Sequence, residues 1–181
     1  MRWLRDLLRR RTGGRTMTAL AAGTKAPGFE LKTMDGKRFS LNDELALGSV
    51  VLAFFKVSCP TCQYAFPFIE RLHRAYGPKG VALVGVSQND AKDTAAFLKE
   101  FGITFPVLLD DTRSYPASNA YGLTNVPTLF WVAPDGEIEI SSVGWLKADF
   151  DQINRKMAEA GKAAPAAVFK RGEEVLDFRA G

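Results

Sequence analysis

The chain has 181 residues, 46% hydrophobic and 24% charged, enough for one well-packed domain with appendages and too few for two of ordinary size. Its formal charge of +4 sits in the first sixteen residues, which hold six arginines and one aspartate; from Met17 onward 18 basic residues stand against 19 acidic ones. This balance excludes a nucleic-acid-binding domain, and the composition excludes a disordered or membrane-embedded chain.

Residues 1–22 read as a basic leader. Trp3, Leu4, Leu7 and Leu8 share a helical face among arginines, without the continuous apolar stretch of about 7 to 15 residues that a secretory signal requires. The readings left open are a disordered tail, a true start at Met17, and an amphipathic segment that touches an anionic membrane surface. No run approaches the roughly 18 apolar residues of a transmembrane helix, so a cytoplasmic location is expected.

Residues 23–160 alternate between strand and helix signals. Phe29–Thr33 reads as a strand, turned by Asp35-Gly36 toward a second one at Lys37–Ser40. Ser49–Val57 is an apolar run of the kind covered on both faces, and it leads into Cys59. From Pro60 to Tyr76, apolar residues recur at three- and four-residue steps, which predicts an amphipathic helix kinked at Pro67 and ending near Gly77-Pro78. Val81–Val86 is a buried strand, and Asn89 or Asp90 caps a helix over Ala91–Phe101 that Gly102 stops. Phe105–Leu109 reads as strand, with Asp110-Asp111 opening a short helix that ends at Tyr121-Gly122. Thr128–Val132 and Glu137–Val143 are strands joined by a turn at Pro134-Asp135-Gly136, and a last helix covers about Lys147–Ala160. Residues 161–181 form an Ala/Pro-rich C-terminal extension with one weak strand, Ala167–Lys170. The pattern is an α/β domain with one mixed sheet flanked by helices, opened by a hairpin.

Cys59 and Cys62 are the only cysteines, two residues apart. A disulfide between such near neighbours closes too short a loop to stabilise much, and zinc would need four ligands where this chain adds only His73. Redox chemistry is therefore expected, with no metal and no cofactor. A thiol attacks only as thiolate, and a helix N-terminus favours thiolate with unpaired amides and the positive end of its dipole. Cys59 occupies that place, and Pro60 suits the first helical position, where an amide would go unused. The amides of Thr61 and Cys62 are free to face the Cys59 sulfur, and the Thr61 hydroxyl is a third candidate donor. Cys59 is expected to attack and Cys62 to resolve. Lys56 is either a positive charge beside the thiolate or an ordinary exposed lysine. His73 reads as a partly buried surface histidine, and Asp110 and Asp111 as helix-capping acids.

The stretch Phe54-Phe55-Lys56-Val57-Ser58-Cys59-Pro60-Thr61-Cys62, with Pro67, Tyr121-Gly122, Val126-Pro127-Thr128 and Asp135-Gly136, resembles the TlpA/redoxin branch of the thioredoxin superfamily. The resemblance spans about Gly23 to Ala160 and implies a thioredoxin fold and a thiol:disulfide oxidoreductase. It implies that Val126-Pro127 is cis and lies against the cysteines, and that Val126, Pro127 and Thr128 form the substrate-binding segment, Val126 pairing its backbone with an extended peptide. The implied partners are a protein or small-molecule disulfide or dithiol and a redox partner protein. Three positions depart from the family's pattern: Ser58 replaces a common tryptophan, Ala53 a buried acid of thioredoxins, and Ala65 a helix glutamate of some TlpA-like reductases. Deprotonation of Cys62 then has no base except water or the departing Cys59 thiolate. Two alternatives stand beside this reading. A peroxiredoxin-like peroxidase would use Cys59, yet the proline and hydroxyl residue such enzymes carry upstream are replaced by Leu52 and Lys56. A binding module of the same fold would leave the cysteines idle.

Overall fold

The computed structural model describes residues 18–181; the leader through Met17, with Trp3, Leu4, Leu7 and Leu8, lies outside the described residues. The first elements are the paired strands Glu30–Thr33 (β1) and Arg38–Ser40 (β2). Ser40 caps the short helix Leu41–Leu45 (α1) by accepting from the Asp43 amide. Val50–Phe55 (β3) follows with all six side chains buried, and Pro60–Tyr76 (α2) starts on Cys59 and continues through Pro67. Next come Ala82–Ser87 (β4), Ala91–Phe101 (α3), Val107–Leu109 (β5) and Pro116–Ala120 (α4). Thr128–Val132 (β6), Ile138–Val143 (β7), Trp145–Leu146 (β8), Lys147–Ala160 (α5) and Phe178–Arg179 (β9) complete the order.

Seven strands form one mixed sheet in the order β2-β1-β5-β4-β3-β6-β7. β3, β4 and β5 run parallel, while β6 is antiparallel to β3 and β7 to β6. β3 lies between β4 and β6 and is buried on both faces, its side chains alternating between two cores. Val51, Ala53 and Phe55 pack with Phe66, Ile69, Phe97 and Ile153 from α2, α3 and α5. Val50, Leu52 and Phe54 pack on the other face with Leu41, Tyr121 and Phe130. This is the α/β architecture expected, opening hairpin included. Among the described residues no helix is long and apolar enough to cross a membrane.

Local physics explains where the boundaries differ. β5 begins at Val107 and not at Phe105, because Pro106 has no N–H to give a ladder. Asp90 caps α3, accepting from the Asp93 amide at 2.8 Å, while Asn89 instead accepts from the Val57 amide at 3.0 Å. Asp110 caps α4 through the amides of Ala117 (3.2 Å) and Ser118 (2.8 Å). The weak strand at Ala167–Lys170 does not form. Val168 turns its amide back to Ala166 O at 2.9 Å and buries its side chain singly. The strand of the C-terminal segment is β9, whose Arg179 and Phe178 pair with Trp145 and Leu146 of β8.

That segment is bound down along its length. The Tyr76 hydroxyl donates to Asn154 Oδ1 and accepts from the Ala166 amide at 2.7 Å, and Asn154 Nδ2 donates to Ala166 O at 2.9 Å. Arg71 holds Glu173 with two hydrogen bonds of 2.7 and 2.8 Å and donates to Val168 O at 2.8 Å. Tyr76→Phe would leave the Ala166 amide and the Asn154 carbonyl each without a buried partner. We expect it to lower stability by about 1–3 kcal/mol, read as a lower urea midpoint at unchanged slope; an unshifted midpoint would show that this hydroxyl does not anchor the segment.

Candidate active site

β3 ends at Phe55, and the chain crosses four residues, the last of them Cys59, before α2 begins. The crossing is pinned by side chains: Gln63 Nε2 donates to Val57 O at 3.0 Å, and Asn89 takes the Val57 amide. Cys59 keeps an extended backbone, φ −82 and ψ 117, and serves as the N-cap of α2. Its sulfur accepts from the Cys62 amide at 3.3 Å, as an Ncap side-chain oxygen would. Pro60 stands in the first turn, where its missing N–H costs nothing.

The register between β3 and β6 brings the second half of the site to the first. Phe54 faces Thr128, so the residues just before β6 lie beside the start of α2. The Val126–Pro127 peptide is cis, and the Cys59 thiol donates to Val126 O at 3.1 Å. Both cysteines are free thiols; Cys59 is partly exposed and Cys62 fully buried.

Burial pushes the Cys62 thiol far above an ordinary cysteine, and the neighbouring Cys59 adds to this. A backbone hydrogen bond from Lys56 opposes both. Ala53 and Ala65, at the places of the family's acids, are buried in the same core as Cys62.

Three of the residues expected to support the site do so differently. The Thr61 hydroxyl does not reach the Cys59 sulfur; it donates to Ala180 O, because the C-terminal segment offers a carbonyl to a side chain otherwise buried. Thr128 is fully buried with its hydroxyl on Asn125 O at 2.7 Å, so it braces the loop and presents no side chain to a substrate. Lys56 is exposed and, among the described residues, its ammonium makes no ion pair; its backbone is what meets Cys62. His73 lies about three turns beyond Cys62 and takes no part.

Sequence reasoning missed Gln63, Asn89, Asn125 and the C-terminal segment. Gln63 carries a readable signal, a polar side chain one turn into a helix whose loop needs a donor. Contacts such as Thr61 to Ala180 or Asn125 Nδ2 to Gly181 O (3.1 Å) have no local signature.

The Arg71 side chain holds the Glu173 carboxyl down to about 2, from an ordinary 4.5. A depressed carboxylate stabilises the folded arrangement above its unfolded pKa and loses that contribution as pH falls toward its folded one. The segment should therefore loosen from α2 between pH 4.5 and about 2, and Arg71→Ala should loosen it at neutral pH. Amide exchange at Lys147 and Arg179 reads this. A Glu173 that titrates at its ordinary value would show the pair to be unformed.

The AhpC/TSA family model matches residues 22–141. The chain is 32% identical over 137 residues to the thiol-disulfide oxidoreductase ResA of Geobacillus thermodenitrificans, covering 75% of this chain and 77% of that one. A thiol:disulfide interchange protein of the thioredoxin family from Chlorobium tepidum is 30% identical in the aligned structure, with a TM-score of 0.63 over 79% of this chain and 99% of that one. A protein of Bacteroides thetaiotaomicron solved in solution, 24% identical, superposes with a TM-score of 0.72 over 79% of this chain and 91% of its own, and shows the fold alone. With a helix-capping Cys59, a buried Cys62 and a cis-proline beside them, the chain belongs to the AhpC/TSA family, as a redoxin of the thioredoxin superfamily.

Proposed function

We propose that in this thiol:disulfide oxidoreductase Cys59 is the attacking sulfur, Cys62 the resolving sulfur, and Val126-Pro127 the shelf on which substrate lies. One observation carries the reading: the partly exposed Cys59 sulfur accepts from the Cys62 amide in the first turn of α2 and donates to Val126 O, while Cys62 is sealed beneath it. The substrate class is a disulfide or dithiol, on a protein or a small molecule, with a redox partner protein resetting the pair.

In the reducing direction the Cys59 thiol first loses its proton. The amide of Cys62 still donates to the thiolate, but the carbonyl of Val126 loses its donor and turns toward an incoming backbone N–H. The thiolate attacks one substrate sulfur, forming a mixed disulfide and expelling the other sulfur as thiolate. The Cys62 thiol then attacks the Cys59 sulfur, closing the Cys59–Cys62 disulfide and breaking the Cys59–substrate bond. As that bond breaks, the substrate sulfur leaves and takes up the Cys62 proton in the same step, because Ala53 and Ala65 supply no other base. The burial that holds Cys62 protonated makes this second step the slower one. Pro60 fixes the helix start, while Thr61 and Thr128 brace the walls. Lys56 adds a positive charge at the rim.

Iodoacetamide should modify Cys59 first and Cys62 slowly. Cys62→Ser should accumulate mixed disulfides through Cys59. Cys59→Ser should abolish turnover while leaving the melting temperature nearly unchanged, since a sulfur-to-oxygen change at a part-exposed site opens no cavity. Equal alkylation rates, or turnover surviving in Cys59→Ser, would refute the roles. Faster single-turnover oxidation by peroxide than by disulfides would place the chemistry in the peroxidase class instead.

A further inference from the structure

We infer that Ala180 and Gly181 occupy the place of an extended substrate on the Val126 shelf and so set which disulfides reach Cys59. The inference rests on the shelf reading above and deepens it.

The contact is close on two sides. A Cβ built on Gly181 would lie 2.5 Å from Val126 O and 3.0 Å from Val126 C, so the glycine backbone rests directly on the carbonyl that the Cys59 thiol uses. A Cβ on Gly144 would lie 2.8 Å from Arg179 O and 3.1 Å from Gly181 N, and Gly144 itself donates to Pro127 O at 2.7 Å. Only residues without side chains let the segment lie this near the shelf. The polar ends of the tip are satisfied by the walls of the site: Thr61, inside the cysteine pair, donates to Ala180 O, and Asn125, just before the shelf, donates to Gly181 O.

What precedes the tip is a fixed stalk. Its Phe178 and Arg179 pair with β8, Lys147 donates to Asp177 O at 2.9 Å, and Trp145 Nε1 donates to Leu176 O at 2.6 Å. The Leu176 amide in turn donates to the Tyr64 hydroxyl at 2.9 Å, on the first turns of α2. The tip itself is exposed and held by those two side-chain hydrogen bonds. The stalk therefore keeps the tip at the shelf, and the tip is cheap to displace. A compact disulfide needs only a line of approach to the Cys59 sulfur. A disulfide within an extended peptide needs the Val126 backbone as well, and must first evict the tip.

The test uses the reduced 181-residue chain with Gly181→Val, whose side chain has no room on the shelf, and separately Asn125→Ala, which removes one bond to the tip. Single-turnover rates are measured with an extended peptide disulfide and with 2-hydroxyethyl disulfide. We expect the ratio of peptide rate to small-disulfide rate to rise about fivefold to tenfold in Gly181→Val and less in Asn125→Ala. An unchanged ratio in both, or a fall in either, overturns the inference, a fall meaning that the tip helps to bind extended substrates. Alkylation of the same variants separates the two readings. If Cys59 is still modified ahead of Cys62 while the ratio is flat, the tip inference alone fails; if that order is lost in the unsubstituted protein, the shelf and cysteine roles fail.

Discussion

The site depends on the antiparallel register between β3 and β6. Because Phe54 faces Thr128, the loop that carries Cys59 and the peptide bond before Pro127 emerge from the sheet side by side. Core packing holds that register. Leu52, Phe54, Phe130 and Val132 belong to one core, and Val51, Ala53, Leu129 and Trp131 to the other. A slip by one residue would exchange every side chain of a strand between the two faces, so the register is specified on both at once. Tyr121 reinforces it, with its ring 5.2 Å from Phe54 and 5.1 Å from Phe130, and its hydroxyl on Pro27 O. Geometry at the sulfur is thus set by aromatic packing well below it.

Within that frame the Cys59 sulfur has two partners of opposite character. It accepts from the Cys62 amide and donates to the Val126 carbonyl. As a thiol it satisfies both. As a thiolate it keeps the amide, which strengthens with charge, and loses the carbonyl, which it now repels. Ionisation of the nucleophile and release of the shelf are therefore a single event in the proposed exchange. A serine cap would satisfy the same amide with better geometry, but its hydroxyl would keep its proton and hold the carbonyl throughout.

Much of this architecture is legible in the amino-acid sequence. The helix at Pro60–Tyr76, the helix at Ala91–Phe101 and the strand at Thr128–Val132 stand at their expected bounds, because each is long or strongly patterned and ends on proline, glycine or an acidic cap. The burial of Cys62 under an exposed neighbour follows from its place inside the first turn of an amphipathic helix. What could not be read depends on distance along the chain. Phe178–Arg179 is two residues of strand whose partner is two more, and neither shows a period. Val168 shows a strand's composition but sits where the chain turns, so its side chain packs while its backbone finds no edge. The sequence offers the Thr61 hydroxyl only the nearby Cys59 sulfur as a candidate acceptor, because the carbonyl that takes its hydrogen bond lies 119 residues on.

The missing acid near Cys62 and the segment over the shelf bear on one quantity, the lifetime of the mixed disulfide. With Ala53 and Ala65 in the core, the proposed exchange leaves the proton of the buried Cys62 to water or to the thiolate that departs as the disulfide closes. A basic leaving thiol takes that proton well but departs slowly, and an acidic one departs readily but takes it poorly, so resolution gains little from either extreme. In the proposed exchange the covalent intermediate is therefore the species on which backbone contacts at Val126 would act. On the proposed reading, a segment that competes for that backbone would act on the bound intermediate as well as on arrival. It would also help to expel the substrate once the Cys59–Cys62 bond closes, because β9 stays paired with β8 and holds Ala180 and Gly181 beside the shelf.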